Sequence, residues 1–495
     1  MASRTIREVT FDLLRELGMT TIFGNPGSTE ETFLKDFPED FRYIQTLHES
    51  SAVGAADGYA QATRKPALVN VHTSAGLSNS MSNIMTAAMN KTPLIITAGN
   101  QTREMLLMEP WLMNVEPTIL PKPWVKWSYQ PVRAEDLPAA FMRAYAVALQ
   151  PPAGPVFLSI PLDDCDKPAT GPAVVRSIAK RIGPDPEGIA AFADALSAAG
   201  NPVLIYGSGI ARAEGWETGI RLAEKLNVKV WAAPASERTP FPENHPLYAG
   251  GLPFAIGPLS KKLEGHDLAI VIGAPVFRYY PYIAGQYIPD GLRLLHITDD
   301  PSESGRAPVG DSLLSDPVLA LEELLARVKP RQAASGDISK QEHRMAPYPA
   351  AKTPEKKPDS AMSSLELFQI LRASTPDNTI LVEESPSSGI DSILLPAAAA
   401  AGSCLQVSAS PWLSAIAAET GPLSLLSGMG LSSIRFRDSG RQYSTGCQSF
   451  LSWPAMVNMP FSNPLQNLKI LRVFPVWICR GWISCLLPGD MGAFP

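Results

Sequence analysis

Histidine and cysteine are scarce in this 495-residue chain, which contains six of the first and five of the second. The cysteines have neither the close spacing of a zinc site nor the pairing of a disulfide scaffold, which argues against both. A strong charge of one sign is also lacking: the net charge is −6 and no basic block occurs, which argues against nucleic-acid binding. No apolar run follows the basic residues near the N-terminus, so a signal peptide is not expected. We therefore expect a cytoplasmic, soluble protein of several domains.

The last quarter of the chain has few charged residues and no histidine. Its final 111 residues hold ten charged side chains, half the density of the whole sequence, and no histidine. Residues 392–418 are uncharged and long enough to span a bilayer, but Pro396, Pro411 and many serines argue against a membrane helix. No helical or alternating period persists beyond this stretch. The composition therefore separates this tail from the rest of the chain.

Earlier residues alternate short apolar runs with helical patterns, which is typical of a parallel α/β sheet. An amphipathic helix is predicted over residues 7–17. A first set of strands is predicted at residues 20–23, 68–72, 94–98 and 156–160. A second set is predicted at residues 202–206, 228–231, 268–272 and 292–297. Such sheets bind ligands at the carboxyl ends of their strands.

These patterns predict the domain organisation. We expect a first domain over residues 1–180 and a central α/β domain over 190–345. A polar, proline-rich stretch predicts an exposed linker over residues 346–360. A helix at 362–374 and a strand at 379–382 then predict the start of a third domain over 361–388.

Three polar residues stand where βα units place functional groups. Ser28 closes the loop after the first strand, and the alternative reading makes it the N-cap of a helix over residues 30–34. His72 ends a strand and could equally be a hydrogen-bonded core histidine. Glu49 begins an Ala- and Gly-rich helix, whose dry packing predicts a raised pKa and proton exchange near neutral pH.

A glycine pair follows the strand at 202–206, in the sequence GSG at residues 207–209. It lacks the third glycine of a dinucleotide-binding fingerprint, so a tight turn is favoured over a nucleotide site. Asp299 and Asp300 are likewise expected to form a turn rather than to bind a ribose. A nucleotide-dependent oxidoreductase is therefore the weaker alternative.

Several stretches of the first 385 residues carry a family resemblance. The loop GNPGS at residues 24–28, Glu49, and ADGYA at residues 56–60 resemble the pyrimidine-binding domain of thiamine-diphosphate-dependent enzymes. Further runs at residues 33–43, 125–129 and 272–279 bring the resemblance closer to the benzoylformate decarboxylase group. The resemblance implies an α/β architecture of doubly wound parallel-sheet domains.

The resemblance also implies a role for each candidate. Ser28 would hold the carboxylate of a 2-oxo acid, His72 would relay protons, and Glu49 would hydrogen-bond the aminopyrimidine ring of the cofactor. These three are the expected catalytic residues. The residues expected to bind thiamine diphosphate are Asn25, Pro26, Gly27 and Glu49.

Tyr280 marks a departure from the family pattern. It occupies the segment where the family's decarboxylase has a second active-site histidine. A phenol, with a pKa near 10 in general, is a poor proton relay at pH 7. The departure argues against benzoylformate itself as the substrate, but not against the reaction class. Ser28 and Tyr280 are the expected substrate-pocket residues.

The family's third domain, by resemblance, holds Mg²⁺ on the diphosphate with a Gly-Asp-Gly motif that this sequence lacks. Read one base out of register, residues 427–431 permit Gly-Asp-Gly-Ser, and its second glycine is forced by Met429-Gly430. Residues 454–458 then permit Ser-Asn-Gly-Glu, with its glycine forced by Met456-Val457. We therefore predict a frameshift after about residue 388, an out-of-frame tail over 389–495, and no metal ligand in the chain as written.

The leading hypothesis is non-oxidative decarboxylation of an aryl 2-oxo acid, dependent on thiamine diphosphate and Mg²⁺. One alternative is a thiamine-diphosphate-dependent carboligase similar to acetolactate synthase. Another is a catalytically inactive relative without the diphosphate and Mg²⁺ site. The resemblance implies a homo-oligomer, a dimer of dimers, with neither nucleic acid nor membrane as a partner.

Overall fold

The computed structural model describes residues 4–331 and, as backbone alone, five short strands further along: Ile380–Glu384, Cys404–Gln406, Leu423–Ser427, Gly430–Arg435 and Gln448–Ser449. The chain divides into two compact units. The first consists of Met1–Ala350 with Ala397–Glu419, and the second of Ala351–Pro396 with Thr420–Pro495. The two parallel sheets described next both belong to the first unit.

Six strands form the first sheet: β1 (Thr21–Asn25), β2 (Arg42–Gln45), β3 (Ala67–Val71), β4 (Leu94–Asn100), β5 (Ser128–Tyr129) and β6 (Val156–Pro161). Their order is β2-β1-β3-β4-β6-β5, and every pair is parallel. The helices are α1 (Ile6–Glu16), α2 (Glu31–Leu34), α3 (Glu49–Thr63), α4 (Thr73–Met89) and α5 (Leu137–Leu149), with 3₁₀ turns at Leu106–Met108 and Ala134–Asp136. Because β3 ends at Val71, His72 is the first residue beyond that strand.

The central strands of this sheet are apolar on both faces because helices cover both. Successive residues of a strand point to opposite faces. Leu68 and Ile95 accordingly pack into one hydrophobic cluster, while their neighbours Val69 and Ile96 pack into another. Continuous apolar runs of this kind are typical of buried parallel strands, which is why the sequence predicted them.

Six further strands form the second sheet: β7 (Pro202–Tyr206), β8 (Val230–Ala232), β9 (Tyr248–Gly251), β10 (Leu268–Ile272), β11 (Arg293–Thr298) and β12 (Asp311–Leu314). Their order is β12-β11-β10-β7-β8-β9, again with parallel pairs throughout. The helices are α6 (Pro186–Ala198), α7 (Ser208–Arg212), α8 (Trp216–Leu226), α9 (Ile256–Lys262), α10 (Pro301–Arg306) and α11 (Pro317–Arg327). Two parallel-sheet α/β regions confirm the predicted fold class for this part of the chain.

Charged groups join the two sheets. Lys91, just beyond α4, is 8% exposed and lies 3.2 Å from Asp300 and 2.9 Å from Glu303. Asp300 also caps α10, since its carboxylate accepts the amide of Ser302 at 2.9 Å. The expected turn at Asp300 is therefore a helix cap that also pairs with a buried lysine.

The strands beyond residue 379 are β13 (Ile380–Glu384), β14 (Cys404–Gln406), β15 (Leu423–Ser427), β16 (Gly430–Arg435) and β17 (Gln448–Ser449). In the second unit β13 pairs parallel with β15, while β15–β16 and β16–β17 are antiparallel. The predicted linker, the helix at 362–374 and most of the predicted out-of-frame tail lie outside the described residues. The domain boundaries stay predictions. Within the described part of the chain, every helix is too short or too polar to cross a bilayer.

Candidate active site at the carboxyl edge of the first sheet

The register of the first sheet brings distant residues to one edge. Asn25 at the end of β1 is opposite Val71, and Val71 is opposite Ala98 of β4. His72 and Gly99, each one residue further, therefore lie side by side at the carboxyl edge with Asn25. This is the edge where parallel sheets bind ligands.

Glu49, the first residue of α3, is 7% exposed at this edge. The side-chain amide of Asn25 donates to its Oε1 at 3.1 Å, and the amide of Asn79 donates to its Oε2 at 3.0 Å. Burial raises the pKa of the Glu49 carboxyl, but the hydrogen bonds from Asn79, its own backbone and Asn25 outweigh burial and leave that pKa lowered. The expectation of a raised pKa was wrong, because amide groups donate hydrogen bonds to the buried carboxylate.

Glu30, which the sequence analysis did not single out, is the most densely hydrogen-bonded carboxylate at the site. It is 1% exposed. Oε1 accepts the Gly99 amide at 2.7 Å, the Thr29 hydroxyl at 2.8 Å and the Thr73 amide at 3.3 Å. Oε2 accepts the Gly27 amide at 2.9 Å and lies 2.9 Å from His72 Nδ1. One side chain therefore links the loop after β1, the start of α4 and the end of β4.

His72 stands before α4, with 20% of its side chain exposed. Its Nδ1 also lies 3.2 Å from the Thr29 hydroxyl. Gly27 packs against the ring so closely that a Cβ there would lie 2.2 Å from Nδ1. The core-histidine alternative is only partly met, since the ring is hydrogen-bonded at Nδ1 and yet reaches the surface.

Ser28 and Tyr280 are both exposed. Ser28 is not the N-cap of the following helix: α2 begins at Glu31 with Glu30 at the cap position and no side-chain capping bond. Tyr280 is 77% exposed, and its backbone amide donates to the carbonyl of Phe254 at 2.9 Å. In residues 4–331 no hydrogen bond joins Tyr280 to Ser28 or to Glu49, and none involves the side chain of Ser28. Pro26 lies half-buried between Asn25 and Gly27.

The glycine turn of the second sheet is closed by packing. A Cβ on Gly207 would lie 2.3 Å from Ala274 Cβ, and one on Gly209 would lie 2.7 Å from Gly273 Cα. Ser208 between them donates to the buried carboxylate of Glu237. The favoured reading, a tight turn, agrees with this packing, which leaves no open cradle for a phosphate.

Comparison with known proteins identifies the family. The family described as "Thiamine pyrophosphate enzyme, N-terminal TPP binding domain" matches residues 4–116, and the corresponding central domain matches residues 189–324. Benzoylformate decarboxylase of Pseudomonas aeruginosa is 43% identical over 389 residues, 78% of this chain and 71% of that protein. The chain belongs to the thiamine diphosphate enzyme family.

Two other members of the family show which relatives this chain resembles more. The crystal structure of benzoylformate decarboxylase from Polynucleobacter necessarius superposes with a TM-score of 0.78 at 48% identity, over 86% of this chain and 80% of that one. The probable acetolactate synthase large subunit of Methanocaldococcus jannaschii is 27% identical over 335 residues, 64% of this chain and 55% of that protein. Identity is thus markedly higher to these two benzoylformate decarboxylases than to the acetolactate synthase.

The residues around Glu49 fit the aminopyrimidine end of thiamine diphosphate. Each carboxylate oxygen accepts one side-chain amide hydrogen and keeps room for another donor, since an ionised carboxylate offers about four acceptor positions. Gly76 faces this carboxylate, and a Cβ there would come within 3.1 Å of Glu49 Cγ. A larger residue at this position would therefore press against the Glu49 side chain.

The described residues do not supply a metal site. Within them, no group of three or more histidine, cysteine or acidic side chains is arranged to hold a metal ion. The segment predicted to correspond to the diphosphate domain begins near residue 361 and falls almost wholly outside the described residues.

Two residues of this site escaped the sequence analysis for different reasons. Glu30 follows the breaker cluster after β1, so an acidic residue near a strand end was a signal that could have been used. Asn79 is the seventh residue of α4, and nothing in the neighbouring sequence points to Glu49. Only the packing of α4 beside α3 brings the two together.

Proposed function

We propose that this chain catalyses thiamine-diphosphate-dependent, non-oxidative decarboxylation of an aryl 2-oxo acid. The observation that carries the proposal is the 43% identity to a benzoylformate decarboxylase together with a buried, amide-held Glu49 at the sheet edge. Bound thiamine diphosphate supplies the electron sink for the pair released when carbon dioxide leaves a 2-oxo acid. The remaining work falls to the side chains of the protein.

Each candidate residue has a stated task in this proposal. The lowered pKa of Glu49 keeps its carboxylate ionised at neutral pH, ready to accept a hydrogen bond from the aminopyrimidine. The exposed Ser28 hydroxyl donates to the substrate carboxylate. His72 holds or delivers a proton at the ring nitrogen that Glu30 leaves free. The exposed phenol of Tyr280 affects which substrate is accepted and does not relay protons.

The proposal extends to the assembly and its location. We propose a cytoplasmic homo-oligomer, a dimer of dimers. Large apolar side chains are exposed in one short segment after β4, with Leu107 at 95%, Trp111 at 88% and Met108 at 68%. Exposed apolar patches of this kind mark interaction surfaces. Light scattering of the full chain tests the assembly, with Leu107→Lys expected to lower the molar mass and a wild-type monomer contradicting it.

We further propose that the missing diphosphate and Mg²⁺ ligands are encoded in another reading frame after about residue 388. Base-level sequencing of the coding DNA over codons 380–460 tests this directly. An insertion, a deletion or a false splice that restores Gly-Asp-Gly in frame supports a working decarboxylase. If the frame stands as written, the inactive-relative alternative applies, because Glu49 then has no anchored cofactor to act on.

A product assay separates the proposed activity from its alternatives. The purified full chain is incubated with thiamine diphosphate and Mg²⁺, and with either benzoylformate or pyruvate. Equal amounts of carbon dioxide and benzaldehyde support decarboxylation, whereas acetolactate from pyruvate as the main product supports the carboligase. Neither product, with no heat of thiamine diphosphate binding in calorimetry, identifies an inactive chain and overturns the proposal.

A further inference from the structure

The hydrogen bonds around Glu30 determine where His72 carries its proton. Glu30 Oε1 accepts from three donors, namely the Thr29 hydroxyl and the backbone amides of Thr73 and Gly99. An ionised carboxylate has no hydrogen to give. Its other oxygen, Oε2, is therefore also an acceptor where it meets His72 Nδ1 at 2.9 Å.

The second neighbour of Nδ1 is an acceptor as well. Thr29 has one hydroxyl hydrogen, and it points to Glu30 Oε1 at 2.8 Å. Its oxygen can then only accept where it lies 3.2 Å from His72 Nδ1. A ring nitrogen between two acceptors must carry the hydrogen. In the described residues, the other ring nitrogen, Nε2, has no hydrogen-bond partner.

We propose that Glu30 is a positioning residue that fixes the proton of neutral His72 on Nδ1, leaving Nε2 as the free ring nitrogen that exchanges protons with the substrate. Its effect on the reaction rests on the proposed function, whereas the position of the proton does not. The hydrogen bond made by one ring nitrogen sets the state of the other, so the charge of Glu30 acts on the substrate through His72.

Glu30→Gln tests this because an amide cannot replace both carboxylate oxygens. The glutamine oxygen is expected to face the backbone amides of Thr73 and Gly99, which donate hydrogen bonds. In the opposite orientation the NH₂ group would meet these two amides donor to donor. The NH₂ then faces the Gly27 amide and His72 Nδ1. A donor at that position requires Nδ1 to accept, so the proton of His72 moves to Nε2.

The measurement is nitrogen NMR of the full chain labelled with ¹⁵N-histidine, at a pH well above the ordinary histidine pKa. His72→Asn identifies the His72 signals among those of the six histidines. We expect the wild type to show a protonated Nδ1 and a bare Nε2, and Glu30→Gln to show the reverse. Glu30→Asp keeps the charge and is expected to keep the wild-type pattern.

Glu303→Gln is the matched control, because Glu303 is also a nearly fully buried carboxylate, 2% exposed, but lies against Lys91 and Thr298. It should leave the His72 signals unchanged. A wild-type proton on Nε2, or an unchanged pattern in Glu30→Gln, would overturn the assignment without any variant activity being needed.

Kinetics give the second readout. An imidazole held in the wrong tautomer loses most of its acid–base rate, up to about 10⁴-fold, so we expect kcat of Glu30→Gln to fall by at least about 10²-fold while KM stays nearly constant. Glu30→Asp should recover part of kcat. If the wild type decarboxylates nothing but shows the expected NMR pattern, the proposed function fails and the positioning of the proton stands. If the wild type is active and the pattern is absent, only the role of Glu30 fails.

Discussion

Both parallel sheets have six strands, but they differ in strand order and in the surface that each presents at its carboxyl edge. At the first edge Ser28 is exposed and His72 is partly exposed, beside a Glu49 that keeps room for a further donor. At the second edge Glu237 is only 7% exposed and is paired with Arg212 and Arg278, and Ser208 is turned inward to it. A strand end becomes a site only where its polar groups stay reachable, and that depends on what packs over the turn.

The buried charges of the two edges are also tuned differently. Burial raises the pKa of Glu237, but the charges of Arg278 and Arg212 and the Ser208 hydrogen bond outweigh it and lower that pKa. At Glu49 neutral amides, foremost that of Asn79, do the same. Amides leave a carboxylate's charge unpaired and available, whereas two guanidinium groups neutralise it. This contrast can be tested by removing each carboxylate in turn.

The largest effect is expected from Glu49→Gln. The variant loses the anion that meets the cofactor, so decarboxylation should fall by about 10²–10⁴-fold, the range of a lost acid–base group. The amide also turns one donor toward Asn25 or Asn79, which should lower the free energy of unfolding by about 1 kcal/mol. Initial rates and urea unfolding of the same preparations measure both. An active Glu49→Gln enzyme would remove Glu49 from the catalytic residues.

Glu237→Gln should have the opposite pattern, a large effect on stability and a small one on activity. Leaving two guanidinium groups without their buried partner costs about 3–5 kcal/mol of unfolding free energy. Because the pKa of Glu237 is lowered in the folded chain, its contribution to stability is present above the ordinary glutamate pKa and is lost as the pH falls below it. The variant should therefore show a flatter decline of stability in acid than the wild type. Equal slopes in the two proteins would contradict the ion pairing at this edge.

A matched pair of glycine substitutions compares the two edges through smaller expected losses of stability. Gly207→Ala pushes a methyl group into Ala274 and the Gly273 carbonyl, which cannot move aside, and should cost about 1–3 kcal/mol. Gly27→Ala meets the ring of His72 instead, and the ring can turn aside only by giving up its hydrogen bond to Glu30. Stability should therefore fall by about 1–3 kcal/mol, and kcat should also fall, by about tenfold or more. Thermal unfolding and kcat of both variants decide. Gly207→Ala should leave kcat nearly unchanged, and an unchanged kcat in Gly27→Ala would mean that the reaction does not depend on the position of the His72 ring.

Sequence reasoning predicted the elements whose pattern follows directly from burial. β7 and β10 are continuous apolar runs and lie where expected, and β3 lies one residue earlier than predicted. β2 and β12 were missed because they are edge strands of mainly exposed or half-buried residues, with no apolar run or clean alternation. Glu49 and His72 could be singled out because each adjoins a strand end or helix start. Glu30 depends on Gly99, 69 residues away, and such a contact exists only after the strands take their register.

The smallest effect is expected on stability from Ser28→Ala. The hydroxyl is exposed, caps no helix and makes no hydrogen bond within residues 4–331, so unfolding should change by less than about 0.5 kcal/mol. A helix-capping serine would instead cost about 1 kcal/mol. If Ser28 donates to the substrate carboxylate, its loss removes one charge-assisted hydrogen bond of about 1.5–3 kcal/mol, and KM should rise by about tenfold or more. Thr29→Ser, which keeps a hydroxyl next to Ser28, is the control, and its KM should stay near that of the wild type. An unchanged KM in Ser28→Ala would show that the exposed Ser28 hydroxyl, although it lies at the carboxyl edge of the first sheet, does not bind the substrate.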